Sequence, residues 1–226
     1  MTKLKIAIQG ELGAYSHIAV ENLYKDANIK TCATFEETFK QAYNDPTCKI
    51  VIPIENSIAG RVADIHYLLP KYKLQIHGEY FLPVEHNLLG KPDANIEDIK
   101  FVRSHAQAIS QCQKIITEKK FQPIISVDTA GSAKDLAGGK DKTIAAIASD
   151  LSAKMYKLKI LQKNIEDDEG NVTRFLIMGK NIEQPEYVES KRYITSCIFR
   201  VKSEPSALYK CLGGFATNQV NMTKLE

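Results

Sequence analysis

Short apolar runs of strand length alternate with longer amphipathic segments along most of this chain, and that alternation limits the folds open to it. Strand-like runs fall at 4–8, 31–34, 50–54, 101–103, 123–127, 143–148 and 174–178, and helix-like segments at 16–24, 35–43, 60–69, 106–119, 130–137 and 150–156. Parallel neighbours in a sheet need a crossover connection, usually a helix, so this pattern predicts an α/β fold with mostly parallel sheets. The β-branched run Ile50, Val51, Ile52 and Ile54 reads as a strand buried on both faces. One stretch, 74–89, is β-rich and carries Pro83 near its middle. Two α/β blocks flank it, which predicts two lobes with a cleft between them. Beyond a polar segment that contains Pro185, the pattern resumes as a strand at 193–201, a helix at 205–215 and the start of a strand at 220–225, a βαβ piece.

Charge excludes some partners. The 30 basic and 27 acidic residues are interspersed, as in Glu118-Lys119-Lys120, giving a net charge of +3. A nucleic-acid binder concentrates its basic residues in a stripe or patch, so no nucleic-acid partner is expected. The apolar runs are too short to span a bilayer or form a signal-peptide core, and no membrane partner or targeting segment is expected. None of the five cysteines pairs as CxxC, which fits reduced thiols in the cytoplasm. Gly10 and Gly13 follow the first strand, but the next glycine is Gly60, so the dinucleotide fingerprint is absent. The five histidines have no metal-ligand spacing, and no Gly-x-Ser-x-Gly elbow occurs.

Polar turns at the ends of strands are the candidate sites, because α/β sheets bind ligands at strand carboxyl ends. Glu55, Asn56 and Ser57 close the 50–54 strand, where they either face a ligand or cap the following helix. Ser104, His105 and Gln107 occupy a second such turn, with Ser104 suited to a cap and His105 or Gln107 to a ligand. Thr129, in Asp128-Thr129-Ala130-Gly131, sits in a third, suited to an anion or to an ordinary cap. In the fourth, Asn171-Val172-Thr173-Arg174-Phe175, Arg174 opens an apolar run and needs a partner, either a ligand carboxylate or an acidic side chain.

Together and in this order, these turns resemble the prephenate dehydratase family. The resemblance rests on Gln9-Gly10-Glu11-Leu12-Gly13-Ala14-Tyr15-Ser16, on Pro53-Ile54-Glu55-Asn56-Ser57-Ile58-Ala59-Gly60-Arg61-Val62, on Ser104-His105-Ala106-Gln107, on Asp128-Thr129-Ala130 and on Thr173-Arg174-Phe175. It implies a catalytic domain at 1–182 with two α/β lobes like those of type II periplasmic binding proteins, lobe 1 at about 1–76 and 165–182 and lobe 2 at about 77–164. A linker at 183–192 and a partial ACT regulatory domain at 193–226 would follow. Ser203-Glu204-Pro205-Ser206-Ala207-Leu208 is similar to the effector-loop motif of that domain, and Asn221 begins the run toward a second motif that the chain does not complete.

The implied reaction removes carbon dioxide and water from prephenate to give phenylpyruvate, on the route to phenylalanine. Aromatisation drives it, so the resemblance implies neither cofactor nor metal. Thr173 would serve the leaving hydroxyl, with Asn56 and Gln107 orienting the substrate. Arg174 would hold the retained carboxylate. Glu55, Ser57, Ser104, His105, Thr129 and Phe175 would complete the substrate site, while Ser206, Ala207, Leu208 and Asn221 would meet L-phenylalanine as effector. A homo-oligomer, dimer or tetramer, is implied. Arogenate as substrate, a non-catalytic anion-binding protein and an amino-acid sensor are the alternatives.

Overall fold

The computed structural model describes residues 3–181 and 186–225. The chain divides into two compact units, the first holding two sheets and the second residues 186–225. In the first unit, β1 (Lys5–Gln9), α1 (Tyr15–Leu23), β2 (Asn28–Cys32), α2 (Phe35–Asn44), β3 (Cys48–Asn56), β4 (Gly60–Arg61), α3 (Ala63–Tyr72) and β5 (Gln75–Pro83) form one lobe. The second lobe holds β6 (Asn87–Gly90), β7 (Phe101–His105), α4 (Ala106–Ser110), α5 (Gln113–Glu118), β8 (Gln122–Ser126), α6 (Thr129–Gly138), β9 (Ile144–Ala148), α7 (Asp150–Tyr156) and β10 (Lys159–Gln162). The chain then returns as β11 (Val172–Gly179), inserted between β3 and β5 of the first sheet.

Two α/β lobes are present as expected, but the sheets are mixed rather than mostly parallel. β1 runs parallel to β2 and β3, and β7 to β8 and β9. β11 is antiparallel to both of its neighbours, and β6 to both of its own. These two strands enter their sheets from the other lobe, without a helical crossover, so nothing forces them parallel. The 74–89 stretch is divided between the sheets: β5 belongs to the first and β6 to the second. The passage between lobes therefore begins after Pro83, not near residue 76. Pro83 is tolerated because β5 is an edge strand.

Each sheet is covered on both faces. Ile50, Ile52 and Met178 pack with Phe39 and Ile65, while Ile6, Ile8, Val51 and Phe175 pack with Val20 on the opposite side. In the second lobe Val102, Ala145 and Ile147 meet Ile109 and Ile116, and Ala146 and Ala148 meet Ala133 and Ala153. Caps fix several helix starts: Thr34, Asp128 and Ser149 each accept from a backbone N–H in the first turn of α2, α6 and α7.

The glycine turn between β1 and α1 joins the lobes. Ser149 and Ser152 at the start of α7 donate to the Gly13 carbonyl at 2.6 and 3.0 Å, and Tyr156 donates to the Leu12 carbonyl at 2.7 Å. Gly13 has φ +95°, and a Cβ there would lie 2.6 Å from Ser152 Oγ. Only glycine fits that approach.

Two helices differ from expectation. Residues 60–69 do not form one helix: Gly60 and Arg61 pair back on β3, and α3 runs from Ala63 to Tyr72, with Pro70 inside its last turn. The segment 106–119 is broken at Gln111-Cys112 into α4 and α5. The Asp167 carboxylate accepts from Gln113 N at 2.7 Å and Lys114 N at 3.0 Å, capping the second piece from outside the helix.

In the second unit, α8 (Ala207–Thr217) forms two residues later than the expected 205–215, with Ser206 in the left-handed conformation before it. Among the described residues neither 193–201 nor 220–225 is a strand. A strand is held by ladder bonds to a partner, and these segments form no ladder with each other or with any other described strand. Residues 183–185 of the expected linker lie outside the described residues.

Candidate active site

The site forms where the chain passes between lobes. Thr173 in β11 stands directly opposite Asn56 at the end of β3. The Asn56 carboxamide has one permitted direction. Its Oδ1 accepts from the backbone N–H groups of Ile58 at 3.0 Å and Ala59 at 2.8 Å, closing the hairpin turn to β4. Its Nδ2 therefore faces inward and donates to Asn171 Oδ1 at 2.6 Å and Thr173 Oγ1 at 3.0 Å. A hydroxyl that accepts from an amide keeps its own proton for another acceptor. Ser57 braces the same turn: its hydroxyl accepts from Val172 N and donates to the Gly170 carbonyl, both at 2.9 Å.

The second lobe reaches this cluster through Gln111. Asn171 Nδ2 donates to Gln111 Oε1 at 3.0 Å, and His86 Nε2 lies 2.9 Å from the same oxygen. The sequence had pointed to Gln107. Its side chain is exposed, and Gln111, one turn later, is the glutamine that joins Asn171. The missed signal was periodicity. Read as one helix, 106–119 sets Gln111 beside Ala108, Cys112 and Ile115, all buried, where a polar side chain needs a partner.

The structure brings together Asn56, Ser57 and Thr173 and corrects the placement of others. Arg174 does not offer a free guanidinium. Its Nε and Nη2 each lie 2.7 Å from Glu79 Oε2, so it forms an ion pair within the first sheet. Glu55 faces both Arg61 and Arg174 in the strand register. Phe175 is 1% exposed in the core, so it packs rather than meets a substrate. Ser104 is fully buried and donates to the Ile147 carbonyl at 2.7 Å, bracing β9. His105, not Ser104, caps α4, accepting from Gln107 N at 3.3 Å. Thr129 is the first residue of α6, where the Asp128 carboxylate already takes the Gly131 N–H at 2.5 Å.

A family model described as prephenate dehydratase matches residues 6–183. The chain belongs to the prephenate dehydratase family. That family places it among the lyases. A bifunctional N-acyl-homoserine lactone acylase/prephenate dehydratase of Komagataeibacter europaeus is 40% identical over 224 residues, covering 98% of this chain and 78% of that protein. The chloroplastic arogenate dehydratase/prephenate dehydratase 2 of Arabidopsis thaliana is 37% identical over 225 residues. The chain spans 58% of the length of that plant relative. A prephenate dehydratase from Arthrobacter aurescens, solved in complex with L-Phe, shares the fold with TM-score 0.87 at 24% identity, covering 98% of this chain and 74% of that one.

Proposed function

We propose that this prephenate dehydratase family member converts prephenate to phenylpyruvate, with Thr173 at the leaving hydroxyl. One observation carries the reading: Asn56 donates to Thr173 Oγ1, so the threonine proton is available to the departing oxygen. As one ring carboxylate leaves as carbon dioxide, its bonding pair moves into the ring and expels the hydroxyl. That hydroxyl takes up a proton, drawn overall from solvent, and leaves as water while the ring becomes aromatic. Threonine is a weak acid, so its contribution is a positioned hydrogen bond that strengthens as charge builds on the leaving oxygen. The groups in hydrogen-bond contact with Thr173 and Asn56 are amides and hydroxyls. Neutral donors hold a departing carboxylate less tightly than a guanidinium would, which avoids deepening the ground state.

Arogenate, with an amine in place of the keto group, is the second reading, favoured by the names of the plant relatives. The test follows phenylpyruvate by ultraviolet absorbance and phenylalanine by chromatography, with each substrate in turn. Thr173→Ala is expected to lower kcat by about 10²- to 10⁴-fold while substrate still binds. Full turnover in that variant would remove Thr173 from the reaction. L-phenylalanine, added to the same assay, tests the further proposal that residues 193–226, with Ser206 and Asn221, form an ACT-like effector unit.

A further inference from the structure

We propose that His86 is a positioning residue: in the Nε2–H tautomer that the Asn56 direction dictates, it secures the carboxamides of Gln111 and Asn171 in the places from which they brace Asn56 beside Thr173. The inference rests on the Thr173 reading for its catalytic consequence and on hydrogen-bond geometry for its structural content.

A carboxamide keeps almost the same shape when turned by half a revolution, so only its partners decide which end is oxygen. Here the decision starts at a fixed point. The backbone N–H groups of Ile58 and Ala59 can only donate, so Asn56 must turn Oδ1 toward them and Nδ2 toward Asn171. Asn171 must then answer with Oδ1, which aims its own Nδ2 at Gln111. Gln111 must in turn present Oε1, because a turned amide would set one N–H₂ group against another. That oxygen lies 2.9 Å from His86 Nε2, so this ring nitrogen must carry a hydrogen. No link in the series can be reversed alone.

His86 closes the series at its far end and is itself tightly held. It is 2% exposed, so bulk water has little access to its contact with Gln111. Its backbone N–H donates to Glu166 Oε2 and its carbonyl accepts from Ile165 N, both at 2.8 Å. Its ring meets Tyr15 edge-on at 5.7 Å between centroids. Nδ1 lies 2.8 Å from the Tyr15 hydroxyl, whose one hydrogen can reach either Nδ1 or the Glu85 carbonyl, also at 2.8 Å; with Nε2 protonated, Nδ1 is an acceptor and that hydrogen turns to it. Burial holds the imidazole pKa below its usual value, against the opposing pull of the Gln111 hydrogen bond and the Glu166 charge. His86 and Ile165 lie on opposite passages of the chain between the lobes, so the series is anchored where both passages meet.

Three variants of the full chain separate positioning from packing. His86→Gln can place an amide N–H where Nε2 stands, so it is expected to keep kcat within about threefold of the parent. His86→Asn reaches only the Nδ1 position and His86→Leu supplies no donor. Both are expected to lower kcat on the order of tenfold, with KM changed less. Equal losses in the Gln and Asn variants, or none in the Leu variant, would overturn the proposal. Nitrogen-15 NMR of the imidazole in the parent protein is a second readout, independent of activity and of variant folding. It should show a protonated Nε2, and a ring protonated at Nδ1 alone would overturn the proposal by itself. If the parent turns over neither prephenate nor arogenate, the functional reading fails while the nitrogen spectrum still decides the tautomer.

Discussion

Replacing Gly13 by alanine tests whether the glycine turn fastens the two lobes. Two costs add. With φ at +95°, any β-carbon is strained, at about 1–2 kcal/mol for an L-residue in left-handed backbone. The new methyl would also lie 2.6 Å from Ser152 Oγ and 3.0 Å from Ser152 Cα. Backbone cannot swing aside as a side-chain tip can, so overpacking adds about 1–3 kcal/mol. Moving the turn away would strain the bonds from Ser149 and Ser152 to the Gly13 carbonyl. Gly60 supplies the control: its φ is +80°, yet nothing lies within 4 Å of where its Cβ would stand. Gly60→Ala should therefore bear the conformational cost alone. Thermal unfolding is expected to fall by about 2–8 °C for Gly60→Ala and by about 4–20 °C for Gly13→Ala, at about 2–4 °C per kcal/mol for a chain of this size. Urea unfolding at equal m-value gives the same ordering as free energy. Equal losses in the two variants would refute the close approach of the turn to α7.

Arg174→Met and Glu79→Gln should each cost about 1–3 kcal/mol, because each strands a half-buried charge, while the double variant loses much less than their sum. Additive losses in a double-mutant cycle would show that the pair is not coupled, and a large rise in KM for Arg174→Met alone would return that side chain to the substrate. Asp167→Ala should lower stability by about 1–2 kcal/mol through loss of the α5 cap, with fraying of that helix detectable by amide exchange. Burial depresses the pKa of His17, His77 and His86, that of His77 from 6.5 to about 4. The unfolded chain then binds more protons than the native one below the ordinary histidine value. Stability should accordingly be full above about pH 6.5 and fall as the pH drops through the native values. His77→Gln should flatten that fall, and a stability that rises between pH 6.5 and pH 4 would contradict the assignment.

Much of the fold was legible because burial writes itself into side-chain chemistry. Ile50 to Ile54 had to be a strand covered on both faces, and it is. What the alternation could not reveal was direction. β6 and β11 carry the same apolar character as the parallel strands elsewhere in their sheets, and only the passage between lobes reverses them. The break at Gln111-Cys112 was hidden for a similar reason. It is stabilised by Asp167, more than fifty residues away by the chain numbering, and no local propensity encodes such a partner. The second unit shows the limit from the other side. Apolar residues such as Ile194, Ile198 and Val201 give 193–201 a strand's composition, yet a ladder needs a second strand, and none is paired to it among the described residues.

The same physics explains why the site was only partly readable. Strand ends point to Asn56 and the family resemblance to Thr173, and the structure places the two opposite each other across β3 and β11. Arg174 and Phe175 share that strand but are claimed by Glu79 and by the core. A strand of alternating direction can send at most every second side chain toward one face. Thr173 could therefore not share its surroundings with the residue beside it, and the groups that complete its environment had to come from other segments. Asn56 comes from the hairpin opposite, Asn171 from the residue two positions earlier, and Gln111 and His86 from the second lobe and the first passage between lobes. Those last two link the Thr173 surroundings to the second lobe and to the passage between lobes. On the proposed role of Thr173, its hydroxyl is thus held through a series that ends at this junction, and loosening the contact at Gln111 would weaken that hold.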